Sequence, residues 1–233
     1  MNTKPKIKAI IFDLDGTLLD SLRDIAISMN QALADSGFPI HEIEDYKDFV
    51  GNGLFELCRK VAPKSVKSEK EIEALAEKFW YLYETQWYLH TKTYPGVLYL
   101  IQLSVARKLK VAILSNKVHY FTKKMIRHFF RGVMVNHGKN PFGIYSGEQP
   151  DMPVKPDPTR ALELAKRLKV KPENIAFLGD SAIDVETAKN AGMISVGAAW
   201  GFRGRAELEA AGADLIFDTP TEFSTYLEKS PVI

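Results

Sequence analysis

The chain has 233 residues, of which 45% are hydrophobic, so it can bury the core of one large domain or of two smaller ones. Its 31 basic and 29 acidic side chains leave a net charge of +2, which provides no basic field for nucleic acid. No run approaches the roughly 18 apolar residues that a membrane span requires. Any small anion must therefore be bound at a local site.

Cysteine usage and the N-terminal sequence indicate a cytoplasmic protein. The one cysteine, Cys58, forms neither a disulfide framework nor a zinc site by itself, and none of the five histidines is spaced to complete such a site. The basic N-terminus is followed by an apolar run of four residues, Ala9 to Phe12, which is too short for a signal peptide. We expect a monomer or weak homodimer without nucleic-acid or membrane partners.

In chain order, short apolar runs alternate with helical patterns. The runs are apolar at consecutive positions, which is typical of strands covered on both faces. They predict strands at Ile7–Phe12, Val111–Leu114, Phe142–Ser146, Ile175–Leu178, Ile194–Val196 and Leu215–Phe217. The helical patterns lie at Val97–Lys108, Val118–Phe130, Pro158–Leu168, Val185–Ala191 and Ala206–Ala211. This alternation predicts an α/β fold, a Rossmann-like three-layer arrangement around a parallel sheet.

One region, residues 21–90, breaks the alternation because it shows helical patterns only. Ser21 with Asp24 resembles a capping pair at a helix N-terminus, and Ser68 with Glu71 has the spacing of a capping box. Helices inserted directly after the first strand form a layer of their own, separate from the sheet. The region therefore predicts a small all-helical cap.

The chain leaves this helical region through a turn-rich junction at residues 93–96, Thr-Tyr-Pro-Gly. After this point the strand and helix alternation resumes. We therefore predict an α/β core domain made of residues 1–18 and 93–233, with a helical cap domain at residues 19–92.

Polar side chains follow three of the predicted strands. Asp13 and Asp15 follow the first strand, Ser115-Asn116-Lys117 follows the second along the chain, and Asp180 follows the run Ile175–Leu178 with Asp184 close behind. Each of these residues alone is also typical of a turn or a helix cap. In parallel sheets, however, ligands bind beyond the carboxyl ends of the strands, so the joint placement predicts one shared site.

The carboxylates at this edge suit a magnesium ion. Asp13, Asp15 and Asp180 offer hard oxygen ligands, and Mg²⁺ prefers a few carboxylates together with water and a phosphate oxygen. Without a cation, three clustered carboxylates repel one another and their pKa values rise. The sequence therefore predicts a bound Mg²⁺.

Hydrogen-bond donors at the same edge suit phosphate oxygens. Ser115, Asn116 and Lys155 are such donors, and Lys155 lies just before a predicted helix. Amide groups of the turn Asp15-Gly16-Thr17 are expected to add to the cradle. Together these groups predict a phosphoryl site with a carboxylate placed to attack it.

Four segments, in this order, resemble the four motifs of the haloacid dehalogenase superfamily. They are Phe12-Asp13-Leu14-Asp15-Gly16-Thr17-Leu18, Ser115-Asn116-Lys117, Lys155-Pro156-Asp157-Pro158 and Gly179-Asp180-Ser181-Ala182-Ile183-Asp184. The helical region after the first motif is similar to the small cap of one group in this superfamily. Residues 49–53, 94–97 and 196–201 most resemble phosphoglycolate phosphatases, although close relatives with other substrates share much of these segments.

The resemblance implies roles for the two leading carboxylates and the phosphate donors. Asp13 would be the nucleophile that forms an aspartyl-phosphate, and Asp15 would protonate the leaving alcohol and then activate water. Thr17, Ser115 and Lys155 would hold the phosphoryl group, with Gly16 and Asn116 beside it.

The resemblance also implies a metal site. Asp13, the backbone carbonyl of Asp15 and Asp180 would bind Mg²⁺. Asp184 would orient Lys155 or a metal-bound water from outside the first coordination sphere. One carboxylate must then stay ionised while its neighbour carries a proton.

We therefore expect a Mg²⁺-dependent phosphatase that hydrolyses a small phosphomonoester, 2-phosphoglycolate or a similar compound. One alternative is a phosphomutase of the same superfamily, in which the phosphoaspartate survives until a second substrate hydroxyl arrives. A second alternative is a phosphoryl-accepting signalling module. Such a module needs neither a second proton-handling carboxylate nor a lid.

Three details remain open at this stage. The loop Gly51-Asn52-Gly53 either faces the pocket and selects leaving groups or forms a simple turn between helices. Arg23 either contacts a substrate anion or lies exposed. Residues 131–140 show no pattern that assigns them to a strand.

Overall fold

Six parallel strands form the central sheet in a computed structural model that describes residues 6–133 and 140–230. In chain order these strands are β1 (Ala9–Phe12), β4 (Lys110–Val118), β5 (Tyr145–Glu148), β6 (Ile175–Gly179), β7 (Ile194–Ala198) and β8 (Leu215–Phe217). Their spatial order is β5-β4-β1-β6-β7-β8. Strand β1 pairs with β4 on one side and β6 on the other, so the carboxyl ends of all three lie at the same edge.

Helices cover both faces of this sheet, which confirms the predicted three-layer α/β fold. They are α5 (Val97–Ala106), α6 (His119–Phe129), α7 (Thr159–Leu168), α8 (Ala182–Asn190), α9 (Gly204–Ala210) and α10 (Pro220–Glu228). Ala9 and Ile11 of β1 belong to an apolar cluster with α7 and α8, whereas Ile10 and Phe12 belong to one that includes α5, α6 and α10. Since side chains alternate along a strand, β1 is buried from both sides.

Residues 21–90 are helical, as predicted. They hold α1 (Leu22–Ala34), α2 (Tyr46–Phe49), α3 (Leu54–Val61) and α4 (Glu69–Gln86), with a short 3₁₀ turn at Ile43–Asp45. Apolar side chains of α1, α3 and α4 are buried together with those of the core helices. Two short antiparallel strands, β2 (Leu19–Asp20) and β3 (Lys92–Thr93), pair where the chain enters and leaves this region.

One of the two predicted helix caps is confirmed and the other is wrong. The Ser68 hydroxyl accepts a hydrogen bond from the amide of Glu71, and the Glu71 carboxylate accepts one from the amide of Ser68. Ser21 precedes α1 but makes no capping bond, because its hydroxyl donates to Asp15. Asp24 is likewise engaged elsewhere, accepting hydrogen bonds from the segment that returns to the core.

Several element boundaries differ from the sequence prediction. Strand β4 continues to Val118, which pairs with Glu148, so the Ser-Asn-Lys segment lies within the strand and not after it. Strand β5 begins at Tyr145, because Phe142 is buried against the rings of Phe12 and Phe130 and does not join the sheet.

The C-terminal helix α10 was not predicted from sequence, and α8 begins three residues before its predicted start at Val185. Of the unassigned segment 131–140, residues 134–139 lie outside the described part of the chain. Within the described ranges, no helix is both long enough and apolar enough to pass through a bilayer.

The buried carboxylate of Asp24 ties α1 to the returning chain. It accepts hydrogen bonds from the amide of His90 at 2.9 Å, and from the amide and hydroxyl of Thr91 at 2.8 and 2.7 Å. We expect Asp24→Ala to lower the free energy of unfolding by about 3 kcal/mol, because buried donors lose their partner. Urea denaturation measures this loss.

Asp20→Ala is the matched control for that measurement. Asp20 joins the same two segments through an exposed pair with Lys92 at 3.9 Å. Such pairs contribute less than about 1 kcal/mol. Equal, small losses in both variants would show that the Asp24 bonds do not hold the helical region to the core.

Candidate active site

The turn after β1 places Asp13 at the floor of a cavity. The amide of Asp13 donates to the carbonyl of Leu178 at 2.8 Å, which ties the turn to β6. Gly16 has a φ of 87°, and a Cβ at this position would overlap the carboxylate of Asp180. Only glycine therefore lets the chain turn this close to Asp180.

A buried lysine joins two of the predicted carboxylates. Lys155 Nζ lies 2.6 Å from Asp13 Oδ1 and 2.6 Å from Asp184 Oδ1, and all three side chains are buried. Burial lowers the pKa of Lys155, but Asp13 and Asp184 more than offset this effect and hold the pKa above its ordinary value. The ammonium group therefore stays charged at the base of the cavity.

Asn116 positions this lysine. Its Oδ1 accepts from the amide of Lys155 at 2.8 Å, while its Nδ2 donates to the carbonyls of Lys155 and Gly51 at 3.0 Å each. The predicted role of Asn116 beside the phosphoryl group is therefore revised, because its polar atoms are engaged by the protein. Ser115, which precedes it, is buried and lines the cavity.

Arg160 is a structural part of the site that the sequence reasoning missed. Its side chain is fully buried and donates to the carbonyls of Pro153 and Ser115 at 2.9 Å and to Asn116 Oδ1 at 2.6 Å. It thereby fixes the end of β4 against the segment that carries Lys155. The signal in the sequence is an arginine four residues before Leu164, on the apolar face of α7.

Asp15 points away from Asp13 and toward the helical region. Its carboxylate accepts from the Ser21 hydroxyl at 2.5 Å and lies 3.1 and 3.3 Å from Lys117 Nζ. Lys117 is buried, with Nζ 4.7 Å from the centre of the Tyr83 ring. Burial lowers the pKa of Lys117, but Asp15 and then Tyr83 more than offset this effect, so its pKa is raised.

Lys117 was quoted in a motif but given no role in the sequence analysis. The missed signal is that Lys117 belongs to the same Ser-Asn-Lys motif as Ser115, the predicted phosphate donor, at the edge of the sheet where the site was expected. Both residues line the cavity.

Three buried carboxylates form a cluster that fits a divalent cation. Oxygen atoms of Asp13, Asp180 and Asp184 all lie within 4.8 Å of one another. Burial raises the pKa of Asp13 from 3.8 to about 7, although Lys155 opposes the shift. Burial, together with Asp184 and Asp13, also raises the pKa of Asp180. A hard cation would offset this repulsion, and carboxylate oxygens are the donors that Mg²⁺ prefers.

Of the three predicted metal ligands, Asp13 and Asp180 bring their carboxylates into the cluster. The carboxylate of Asp15 lies outside the cluster, so its backbone carbonyl remains the predicted ligand. Asp184, predicted to act through Lys155 or water, also contributes an oxygen to the cluster. Its other oxygen accepts from the amide and hydroxyl of Ser181 at the start of α8.

Gly16 and Thr17 do not line the cavity described by the other predicted residues. The Gly16 amide donates to the carbonyl of Leu19 at 2.8 Å, so the protein engages this amide, and its place in the phosphate cradle stays a prediction. The Thr17 hydroxyl faces Asp180 Oδ1 at 3.4 Å, and the Phe202 amide donates to Asp180 Oδ2 at 2.8 Å. Thr17 and Phe202 therefore hold the carboxylate of Asp180 in place.

Helices of the region 21–90 form the roof of the cavity. Its apolar lining comes mainly from Ile25, Leu54, Leu57, Phe79, Tyr83 and Phe121. Gly51 and Gly53 also line it, which confirms that their loop faces the pocket, whereas the side chain of Asn52 is held by Lys60. Arg23 is exposed and lies outside the lining.

Comparison with known proteins places these residues in a family. The model of the haloacid dehalogenase-like hydrolases matches residues 10–198. A phosphoglycolate phosphatase of Pseudomonas syringae pv. tomato is 32% identical over 217 residues, which are 91% of this chain and 76% of that protein. A phosphoglycolate phosphatase of Aquifex aeolicus is 29% identical over 196 residues, or 84% and 86% of the two chains.

A solved structure is also similar to this chain in fold and in sequence. A protein from Haemophilus somnus, itself predicted to be a phosphoglycolate phosphatase, has a TM-score of 0.86 and 27% identity. The match covers 96% of this chain and 99% of that one. The family model spans β1, the helical region and the strands that carry the site, from β4 to β7. The chain therefore belongs to the haloacid dehalogenase-like hydrolases.

Proposed function

We propose that this hydrolase is a Mg²⁺-dependent phosphatase that acts on a small phosphomonoester through an aspartyl-phosphate. One observation carries the proposal: a buried carboxylate, Asp13, lies in hydrogen-bonding contact with the buried ammonium group of Lys155 at the floor of a covered cavity. A nucleophile beside a fixed cation is the arrangement that phosphoryl transfer requires, because charge develops on the phosphoryl oxygens.

The first half of the reaction transfers the phosphoryl group to Asp13. A carboxylate oxygen of Asp13 attacks phosphorus while the bond to the ester oxygen breaks. Lys155 and the hydroxyl of Ser115 neutralise and orient the phosphoryl oxygens. Asp15 gives a proton to the departing alcohol.

The second half releases phosphate. Asp15, now ionised, takes a proton from water as the water oxygen attacks phosphorus and the bond to Asp13 breaks. Asp15 suits both steps because its side chain is partly exposed and lines the same cavity as Asp13. Its contacts with Ser21 and Lys117 hold its carboxylate in place.

Asp13, Asp180 and the carbonyl of Asp15 would hold Mg²⁺, with Asp184 beside them. When bound, the ion supplies positive charge to the phosphoryl oxygens and offsets the repulsion among these carboxylates. Asp180 is held for this task by the Phe202 amide and the Thr17 hydroxyl.

We assign residues 19–92 to a cap domain and residues 1–18 and 93–233 to the core. The chain enters the cap at β2 and returns to the core at β3, and these two strands pair in a small antiparallel sheet. The cavity lies between the two parts, so the cap excludes water from the phosphorylated enzyme. Opening of this cap would admit substrate and release product.

The similarity to phosphoglycolate phosphatases makes 2-phosphoglycolate the first candidate substrate. The single cysteine, Cys58, is buried and free, which agrees with a cytoplasmic enzyme.

Phosphate release from a panel of esters tests the proposed activity. The panel holds 2-phosphoglycolate, hexose 1-phosphates, a nucleotide and an aryl phosphate, each with Mg²⁺ or a chelator. We expect Mg²⁺-dependent release, and we expect Asp13→Asn to lower kcat by roughly 10⁴-fold or more, because the nucleophile is lost.

Circular dichroism of the Asp13→Asn protein controls for misfolding. Retained activity in a folded variant would remove Asp13 as the nucleophile. Isomerisation of a hexose 1-phosphate without phosphate release would identify a phosphomutase instead.

Asp180→Asn tests the metal site without an activity assay. In Mg²⁺-free buffer at neutral pH we expect the variant to unfold about 2–4 °C above the wild type, because one buried carboxylate no longer repels Asp13 and Asp184. We also expect Mg²⁺ to raise the unfolding temperature of the wild type and not that of the variant.

Differential scanning calorimetry with and without Mg²⁺ measures both effects. Asp218→Asn is the control, because Asp218 is an exposed partner of Arg205 far along the chain from the cluster. Equal Mg²⁺ stabilisation of the wild type and Asp180→Asn would place the ion elsewhere.

A further inference from the structure

The roof of the cavity is apolar, but a buried cation of β4, Lys117, lies beside it. Its ammonium group contacts Asp15 and the ring of Tyr83, and Phe79 and Phe121, which pack on that ring, line the same cavity. A buried charge in such surroundings is retained only when it has a partner. Asp15 provides this partner in the structure.

We propose that Lys117 recognises a negatively charged group on the leaving alcohol of the substrate. The proposal rests on the proposed phosphatase function and defines its substrate class. That class comprises phosphomonoesters whose leaving alcohol carries a carboxylate, or another anion, close to the ester oxygen.

The other cations around the cavity are already engaged. Lys155 is bound at 2.6 Å to both Asp13 and Asp184, at the end that holds the phosphoryl group. Arg203 donates to the side chain of Asp48 at 2.9 Å and to the carbonyls of Asp48 and Val50 at 3.3 Å. Among the described residues that line the cavity, Lys117 is therefore the cation best placed to bind a further anion.

The contact between Lys117 and Asp15 is looser than the pairs at Lys155. Its distances are 3.1 and 3.3 Å, against 2.6 Å for both pairs of Lys155. Asp15 also has a second partner, the Ser21 hydroxyl at 2.5 Å. Lys117 has three N–H donors, so it can bind a substrate anion while the Ser21 contact keeps Asp15 in place.

Tyr83 offers a second donor for the same anion. Its hydroxyl is buried, and among the described residues it interacts with the ammonium group of Lys117, which can only donate to the Tyr83 oxygen. The ring lines the cavity and lies beside Lys117. Buried donors are normally paired, so an O–H group without an acceptor beside a ligand cavity indicates a bond that the ligand completes.

Geometry limits where the anion sits on the substrate. A general acid contacts the ester oxygen at about 3 Å. Lys117 Nζ lies 3.1 Å from the carboxylate of Asp15. Lys117 Nζ is thus within roughly 6 Å of the ester oxygen, so it can reach an anion that a short carbon chain joins to that oxygen. The carboxylate of 2-phosphoglycolate meets this condition.

The test compares two substrates of similar size, 2-phosphoglycolate and 2-hydroxyethyl phosphate, whose leaving alcohol is neutral. The readout is the ratio of their kcat/KM values. Both substrates use Asp15, so any change in the position of Asp15 cancels in this ratio. We expect the wild type to favour 2-phosphoglycolate and Lys117→Met to lower the ratio by about 30-fold or more.

Three further variants sharpen the measurement. Lys117→Arg is expected to restore part of the preference, and Tyr83→Phe to lower it by about tenfold, the loss of one hydrogen bond to a charged group. Lys124→Met is the matched control. Lys124 also lies over an aromatic ring, that of Trp87 directly after α4, and pairs with Glu84, but it does not line the cavity.

The outcomes separate this inference from the proposed function. If Lys117→Met lowers kcat/KM equally for both substrates, Lys117 acts only through Asp15 and the inference is wrong, while the phosphatase stands. A wild type that prefers neutral or aryl esters overturns the inference too. If Arg203→Met, and not Lys117→Met, removes the preference, Arg203 is the recognition group. Absence of phosphate release from every ester contradicts the proposed function itself.

Discussion

The contact of Lys155 with Asp13 and Asp184 is the interaction on which the rest of the site depends. Three fully buried charges are tolerated only if they are paired and hydrogen-bonded. The contact joins the turn after β1 and the first turn of α8 to the loop that carries Lys155. The loop is also fixed by polar contacts, from Asn116 to the backbone of Lys155 and from Arg160 to Asn116. A buried polar network that is this well satisfied is rigid, which a phosphoryl site needs.

Lys155 cannot balance the carboxylate cluster by itself. Asp13, Asp180 and Asp184 bring three carboxylates to one buried place, and burial together with repulsion from neighbouring carboxylates raises the pKa values of Asp13 and Asp180. The fold allows this because Gly16 leaves room for Asp180 and β1 pairs directly with β6. Such a cluster costs stability, and the proposed cation would offset this cost, an exchange of stability for function.

The sequence predicts the residues at strand ends well and those that act across elements poorly. Asp13 and Asp180 were expected at one site because parallel strands carry their ligands at one edge, a rule that needs no knowledge of contacts, and the structure brings both into one carboxylate cluster. Asn116, Arg160 and Lys117 were misjudged or missed, because their partners lie 39 to 102 positions away along the chain. The strand β5 was misplaced for a similar reason, since burial of Phe142 against other rings outweighs the local pattern.

The two buried lysines differ in which parts of the chain surround them. Lys155 is held by short contacts with Asp13 and Asp184, so the surroundings of the proposed phosphoryl site come from the α/β part of the chain. Lys117 also comes from the sheet, but its surroundings include Tyr83 of α4 and Asp15, which Ser21 holds at the start of the helical region. A change in the helical region therefore alters the surroundings of Lys117 and leaves those of Lys155 intact. This separation explains physically how relatives with one phosphoryl site can differ in the alcohol they release.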